Sequence, residues 1–396
     1  MKISMLHNSY RYLGGEDVST EAECELLLAR GHQVRLMTLS NLDIDESSRP
    51  TANLRLAMET IWNERARRTV AAAVAADKTN IVHVQNFFPR FSPAVHNGAR
   101  RAGAATIQHL RNYRLMCFNG FVRDGKTCEL CLGRAPVAGV RFRCYRGNLA
   151  ASSVFAAMLV FHRLRRTWHS EVDAFIANTE FSKRKFVASG LPADRIHVKP
   201  NFLTNDPGVA TPGSGRYAAF VGRLEPKKGV ETLLRAWSEL PGIPLKVIGD
   251  GPLLSVVRQR VAQSPLRDRV EVTGRLNHSD VMRELRGAGL LVMPSEWYET
   301  FGRTMMEAFA LGVPVVASRM GAMEEVVDPE RTGWHFTPGD TNDLARTVEA
   351  AWVDVKERVK RGREARAEFE AKYTAETNYV RLMEIYQHAL ARRHGS

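Results

Sequence analysis

Short apolar runs recur along this chain with helix-periodic stretches between them, and the pattern is interrupted once. The runs are KISMLHN at 2–8, HQVRLMTL at 32–39, IVHVQN at 81–86, ATIQHL at 105–110, AFIAN at 174–178 and IHVKP at 196–200. Strands covered on both faces read in this continuous way, and connections long enough to hold a helix make them parallel. Residues 201–215, NFLTNDPGVATPGSG, lose all periodicity and gather Pro, Gly, Thr and Asn, the composition of a loop. The alternation then restarts with YAAFVGR at 217–223, LKVIGD at 245–250, VEVTGR at 270–275, GLLVMPS at 289–295 and PVVAS at 314–318. A chain of 396 residues exceeds one ordinary core. The expectation is two α/β domains, 1–203 and 204–372.

The stretch Met293 to Gly312, MPSEWYETFGRTMMEAFALG, carries the chemistry. An apolar strand breaks at Pro294, a helix starts near Gly302 or Arg303, and Glu299 and Glu307 bracket the turn. A helix start offers free N–H groups and partial positive charge to an anion, while carboxylates accept from sugar and ribose hydroxyls. The run E-x-F-G-x4-E-A, followed by Gly312-Val313-Pro314-Val315-Val316-Ala317-Ser318 and by Gly321 with Glu324 and Glu325, resembles the signature of the GT4 family of retaining glycosyltransferases.

That resemblance implies a GT-B fold, with two Rossmann-like domains facing across a cleft and a tail helix, 373–396, returning to the first. It also implies roles. YAAFVGRLEPKKG is similar to the family's G-R-x4-K-G, placing Gly222, Arg223 and Lys228 at the donor diphosphate. Fixed cations there would stabilise charge growing on the leaving phosphate. Gly14 and Gly15, after the first strand, correspond to a glycine pair that meets the diphosphate. His109, with Arg111 and Tyr113, resembles an H-x-Y-R segment whose histidine lies near the reacting sugar. Gly274 and Arg275 fall where the backbone reads the base. Glu299, Thr300, Phe301 and Gly302 form the sugar loop, and Glu307 takes the ribose. His109, Glu299, Arg223 and Lys228 are the expected catalytic set. The implied reaction is hexosyl transfer with retention from a nucleotide diphosphate sugar, UDP ahead of GDP, without a metal, to a glycan or polyprenyl-linked acceptor. The chain departs from the family pattern at Phe202 and at Gly321-Ala322.

The charge of +13 favours anionic partners. No apolar run reaches the length of a membrane span, and MKISMLHNSY turns polar too soon for a secretory signal, so a cytoplasmic protein is expected. Asp43-Ile44-Asp45 reads as a solvated loop rather than a metal triplet. Gly120 to Thr127 fits G-x4-G-K-T by letter, but Cys128-Glu129-Leu130-Cys131 follows where a helix is needed. Cys117, Cys128, Cys131 and Cys144, in an insert spanning 111–147, have a spacing that suits a structural zinc; reduced thiols or a disulfide are the alternatives. A similar Cys-rich insert ending in R-C-Y-R-G occurs in a bacterial subset of GT4. Residues 150–169 read as a helix with an apolar first half, a basic second half and Trp168 as an aromatic edge, suiting an anionic bilayer or, equally, a core helix. A basic zinc-containing nucleic-acid-binding protein is the competing class. The acidic pair and the lack of aromatics among the basic runs favour the enzyme, with no nucleic-acid partner.

Overall fold

The apolar runs become two parallel sheets in the computed structural model, which describes residues 1–10, 14–43 and 50–395. Ile44 and Asp45 of the acidic triplet lie outside them. One unit comprises 1–121, 128–201 and 378–396, the other 122–127 and 202–377.

The first unit holds β1 (Lys2–Ser9), β2 (Gln33–Ser40), β3 (Ile81–Asn86), β4 (Ala105–His109), β5 (Ala174–Ala177) and β6 (Ile196–Val198), in the order β2-β1-β3-β4-β5-β6. Every residue of β3, β4 and β5 is buried, including the polar His83, Gln85, Thr106, Gln108 and His109 of the first two strands. Ile3, Met5, Ile81, Ile107 and Ile176 pack against Leu27 of helix Gly15–Ala29 and against Leu382, Ile385 and Tyr386 of the tail helix Ala375–His394.

The second unit holds β7 (Tyr217–Val221), β8 (Leu245–Ile248), β9 (Val270–Gly274), β10 (Ala288–Met293), β11 (Val315–Ser318) and β12 (Gly333–Phe336). Their order, β9-β8-β7-β10-β11-β12, reverses direction between β7 and β10. Such a reversal, at the carboxyl ends of the strands, is where an open α/β sheet receives ligands. One face is sealed by Phe220, Leu233, Trp237 and Val348, the other by Leu291, Met305, Phe309 and Phe369.

Two expectations change. The helix foreseen over 150–169 runs from Leu149 to Leu164, turns at Arg166 with φ 56°, and resumes as Thr167–Ser170. Trp168 is no surface edge: it is buried against Phe87 and His96, so its ring serves the core. The rejection of the G-x4-G-K-T match agrees with the structure, where Lys126–Thr127 pairs with Val122–Arg123 in a small antiparallel hairpin rather than opening a helix.

Candidate functional site

The two loops at the reversal of the second sheet approach backbone to backbone. Beyond β7, Gly222 N donates to Ile248 O at 3.0 Å and Leu224 N to Asp250 O at 2.9 Å, so this turn lies on the turn following β8. A Cβ at Gly249 would stand 1.9 Å from Gly222 O, and one at Gly229 1.8 Å from Pro294 O; Gly229 also has φ 69°. Only glycine fits at either contact. Glu296 N closes the second approach by donating to Lys227 O at 2.8 Å.

Held this way, Lys228 Nζ meets Glu299 Oε1 at 2.5 Å. Ser295 Oγ and Trp297 Nε1 donate to the same oxygen at 3.0 and 2.9 Å. Burial pushes the Glu299 carboxyl up, but the Lys228 cation and these hydrogen bonds outweigh it and hold the group below its usual range. Lys227 lies over the Trp297 ring at 4.2 Å, and Glu225 ties Lys227 (3.2 Å) to Arg223 (3.6 Å), whose side chain is half exposed. Phe301 is buried beside Tyr373, Thr300 is half-buried, and Gly302, at φ 87°, precedes the helix Arg303–Ala310.

Glu307 lies on that helix, buried, 3.5 Å from Arg303 Nη2 and 3.8 Å from His278 Nδ1. His278 opens the helix His278–Arg286 after β9, whose last residue, Gly274, has φ 81° and is followed by exposed Arg275. The two glutamates therefore have different neighbours. Glu299 answers to the basic turn after β7, and Glu307 to the segment after β9.

The first unit tells a different story. Gly14 N donates to Asp17 Oδ2 at 2.8 Å, and Glu16 and Asp17 occupy the first turn, so this helix start presents carboxylates and one N–H already bonded. His109 ends β4 and is buried, with Nε2 3.1 Å from Asn178 Oδ1 and its ring stacked on His83 at 5.5 Å. Burial first, then the nearby Arg111 charge, lowers its pKa to about 4, leaving a neutral ring at pH 7. Counted back from Tyr113-Arg114, the H-x-Y-R spacing falls on Arg111, two residues past His109.

Arg111 and Lys199 meet on a carboxylate that the sequence reading missed. Glu23 Oε1 lies 2.5 Å from Lys199 Nζ, and Glu23 Oε2 lies 3.0 Å from Arg111 Nη2, with all three side chains buried. Gln85 Nε2 donates to Glu23 Oε2 at 2.5 Å, and Arg111 Nε donates to Gln85 Oε1 at 2.6 Å. The available signal was positional: Glu23 is three residues after Thr20 and four before Leu27, on the buried helix face. Among the described residues, Glu23, His83 and His109 are the one trio of ligand-type side chains close enough for a metal. Two cations already neutralise that carboxylate.

The cysteines are free thiols. Cys117, Cys128 and Cys131 are near enough that the latter two help raise the pKa of Cys117, after burial, the main cause. Cys117 Sγ also accepts from Phe121 N at 3.1 Å. Four thiolates on one zinc stand about 3.8 Å apart. No three of these sulfurs lie within 4.8 Å of one another among the described residues, so the set as placed is not a closed zinc cage.

Residues 14–201 match the family described as Glycosyl transferase 4-like domain, and residues 204–368 match Glycosyl transferases group 1. The chain belongs to the GT4 glycosyltransferases. This GT4 chain is 26% identical to a phosphatidyl-myo-inositol mannosyltransferase of Mycobacterium leprae over 88% of its own length and 87% of that protein. It is 30% identical over 45% of its length to an exopolysaccharide phosphotransferase of Streptomyces coelicolor, and over 42% to a glycogen synthase of Mycobacterium tuberculosis. It spans only 19% and 41% of those two relatives. Its fold is that of the sucrose-phosphate synthase of Thermosynechococcus elongatus, with TM-score 0.73, 19% identity and 98% and 99% of the chains covered. Anabaena Alr3699/HepE in complex with UDP and glucose shares it too, with TM-score 0.69, 17% identity and 97% and 98% covered.

Proposed function

We propose that this GT4 chain is a retaining hexosyltransferase that takes its sugar from a nucleotide diphosphate sugar, UDP-linked in preference to GDP-linked. The observation that carries the reading is the Lys228–Glu299 pair at the strand reversal of the second sheet, with Glu307 on the helix that follows. In the free protein Lys228 neutralises Glu299. A donor diphosphate draws on Lys228 and Arg223, which leaves Glu299 free to accept from sugar hydroxyls, while Glu307 accepts from the ribose. In the transfer step the bond from the anomeric carbon to the phosphate oxygen breaks and a bond to the acceptor oxygen forms on the same face. The acceptor proton passes to a donor phosphate oxygen. The two cations stabilise charge that develops as the diphosphate leaves, so no divalent ion is required. UDP in the Anabaena complex and the transferase relatives support this reading, and nothing favours the nucleic-acid-binding alternative.

A thermal-shift panel tests it. UDP at a hundredfold excess over its Kd raises stability by about 2.7 kcal/mol, more than GDP at equal concentration. No shift with either nucleotide would sink the reading.

The acceptor side is proposed as a glycan or polyprenyl-linked glycan, met at an anionic membrane surface. Leu54, Met58, Phe161 and Leu164 are exposed on helices 50–61 and 149–164, joined where Trp62 meets Phe161 edge-on at 6.0 Å. Arg163, Arg165 and Arg166 are exposed at the end of the second helix. Replacing these three arginines by glutamine should abolish co-flotation with phosphatidylglycerol vesicles; unchanged flotation rejects the membrane reading. A structural zinc on Cys117, Cys128, Cys131 and Cys144 is likewise a proposal, and it requires the sulfurs to draw together. About one zinc per chain in untagged protein is the expected result, and a metal-free protein with four titratable thiols removes it.

A further inference from the structure

A cavity of about 180 Å³ lies in the second unit at the end of the sheet opposite the donor motifs. It is bounded by Ala288 and Gly289 at the start of β10, by Gly312 to Pro314 just before β11, by the segment 209–215, and by the helix Val355–Lys372. The strands are parallel, so these are their amino ends, whereas Arg223, Lys228 and Glu299 all follow carboxyl ends.

Arg358 lines this cavity and is only 6% exposed. Its guanidinium lies over the Trp352 ring at 4.7 Å, and Nη1 donates to Trp352 O at 2.6 Å. A Cβ on Gly289, on the facing wall, would stand 3.5 Å from its Nε. Among the described residues it has no ion pair with a carboxylate. Arg366, on the same wall, shows the contrast, since it is paired with Asp206 and, at 2.6 Å, with Glu370. Burial lowers the Arg358 pKa and no acid offsets it. A guanidinium has five N–H donors, and a buried charge needs both a counter-charge and hydrogen bonds. The third arginine of this wall, Arg363, is exposed and also lacks a carboxylate partner among the described residues. The glycines leave backbone as much of the remaining lining. At roughly 30 Å³ per water, the space accepts an ion of phosphate or carboxylate size.

We propose that this cavity binds a small oxyanion, a phosphate group or a carboxylate, with Arg358 as its counter-charge, at a site separate from the donor region. The proposal stands independently of the reading of the donor site.

The test compares melting temperatures in sodium phosphate, sodium acetate and sodium chloride at matched ionic strength, for the wild type, Arg358→Met, Arg358→Lys and Lys228→Met. Arg358→Met keeps the stem over Trp352 and removes an uncompensated buried charge, so it folds. In the wild type, phosphate or acetate at a hundredfold excess over Kd raises Tm by roughly 5–10 °C over chloride. The anion that does so identifies the ligand chemistry. Lys228→Met keeps the shift, Arg358→Lys keeps part of it and Arg358→Met loses it. No shift in the wild type, or an undiminished shift in Arg358→Met, overturns the proposal. A shift lost in Lys228→Met but kept in Arg358→Met would place the anion in the donor region and overturn it equally.

Discussion

Lys228→Met is expected to lower kcat/KM by about 10²- to 10³-fold, the range seen when one preorganised stabiliser of developing charge is removed. The loss should appear mainly in kcat, because the charge on the leaving diphosphate is larger in the transition state than in the bound donor. The variant also tests the pairing seen in the free protein. Glu299 is buried, and its ionised form depends first on Lys228 and then on the hydrogen bonds from Trp297 and Ser295. Without Lys228 the carboxylate is stranded, so Lys228→Met should also melt earlier. The double variant Lys228→Met/Glu299→Gln removes the stranded charge and should regain much of the lost stability while staying inactive. Steady-state kinetics and thermal melts of both variants separate the two roles. A single variant keeping more than a tenth of wild-type kcat/KM would remove Lys228 from the reaction. The sign of the pH effect follows from the depressed Glu299 pKa. The pair's stabilisation is complete above the ordinary carboxylate range and is lost as pH falls through the folded-state value.

The parallel sheets were legible because strands buried on both faces read as short continuous apolar runs, as β5 and β10 do. β12, the tetrapeptide Gly333–Phe336, escaped notice because a glycine, a half-buried Trp334 and His335 leave no apolar run to see. The motifs around Lys228 and Glu299 were legible for a steric reason. Two loops meeting backbone to backbone demand glycine at fixed points, and the cation and carboxylate beside those glycines share their spacing. The Glu23 cluster offered no such spacing. Its members are distant in sequence, on one helix, on β3, after β4, after β6 and on the tail helix, and sheet order together with the packing of both helices on the sheet brings them together. Trp168 failed for another reason: helical periodicity marks an apolar face but does not say whether protein or lipid covers it.

That cluster makes the first unit sensitive to one atom exchange and to acid. Glu23→Gln keeps the shape of the side chain but leaves Lys199 and Arg111 buried, 2.5 and 3.0 Å from a neutral amide. Removing one partner from a buried ion group costs roughly 3–5 kcal/mol, or roughly 6–20 °C in Tm for a unit of this size. The histidines set the pH course. His83, against Tyr386 Oη at 2.9 Å, is held well below the usual histidine range by burial, and His96, His109 and His162 are lowered to about 4 for the same first cause. All four are neutral when folded, whereas in the unfolded chain they take up protons near pH 6.5. Between pH 6.5 and 4 the unfolded state therefore binds more protons, and stability falls by about 1.4 kcal/mol per pH unit for each histidine involved. Glu23, held far below the ordinary carboxylate range once Lys199 and Arg111 overcome its burial, still contributes throughout that window. Thermal melts should accordingly change little between pH 7 and about 8, below the range in which the unfolded thiols ionise, and drop steeply from pH 6.5 downward, and His109→Gln should lessen the slope by about one proton. A Tm unchanged from pH 7 to pH 5 would mean that these rings are not neutral and buried in the folded protein, and the charge cluster built around them would have to be redrawn.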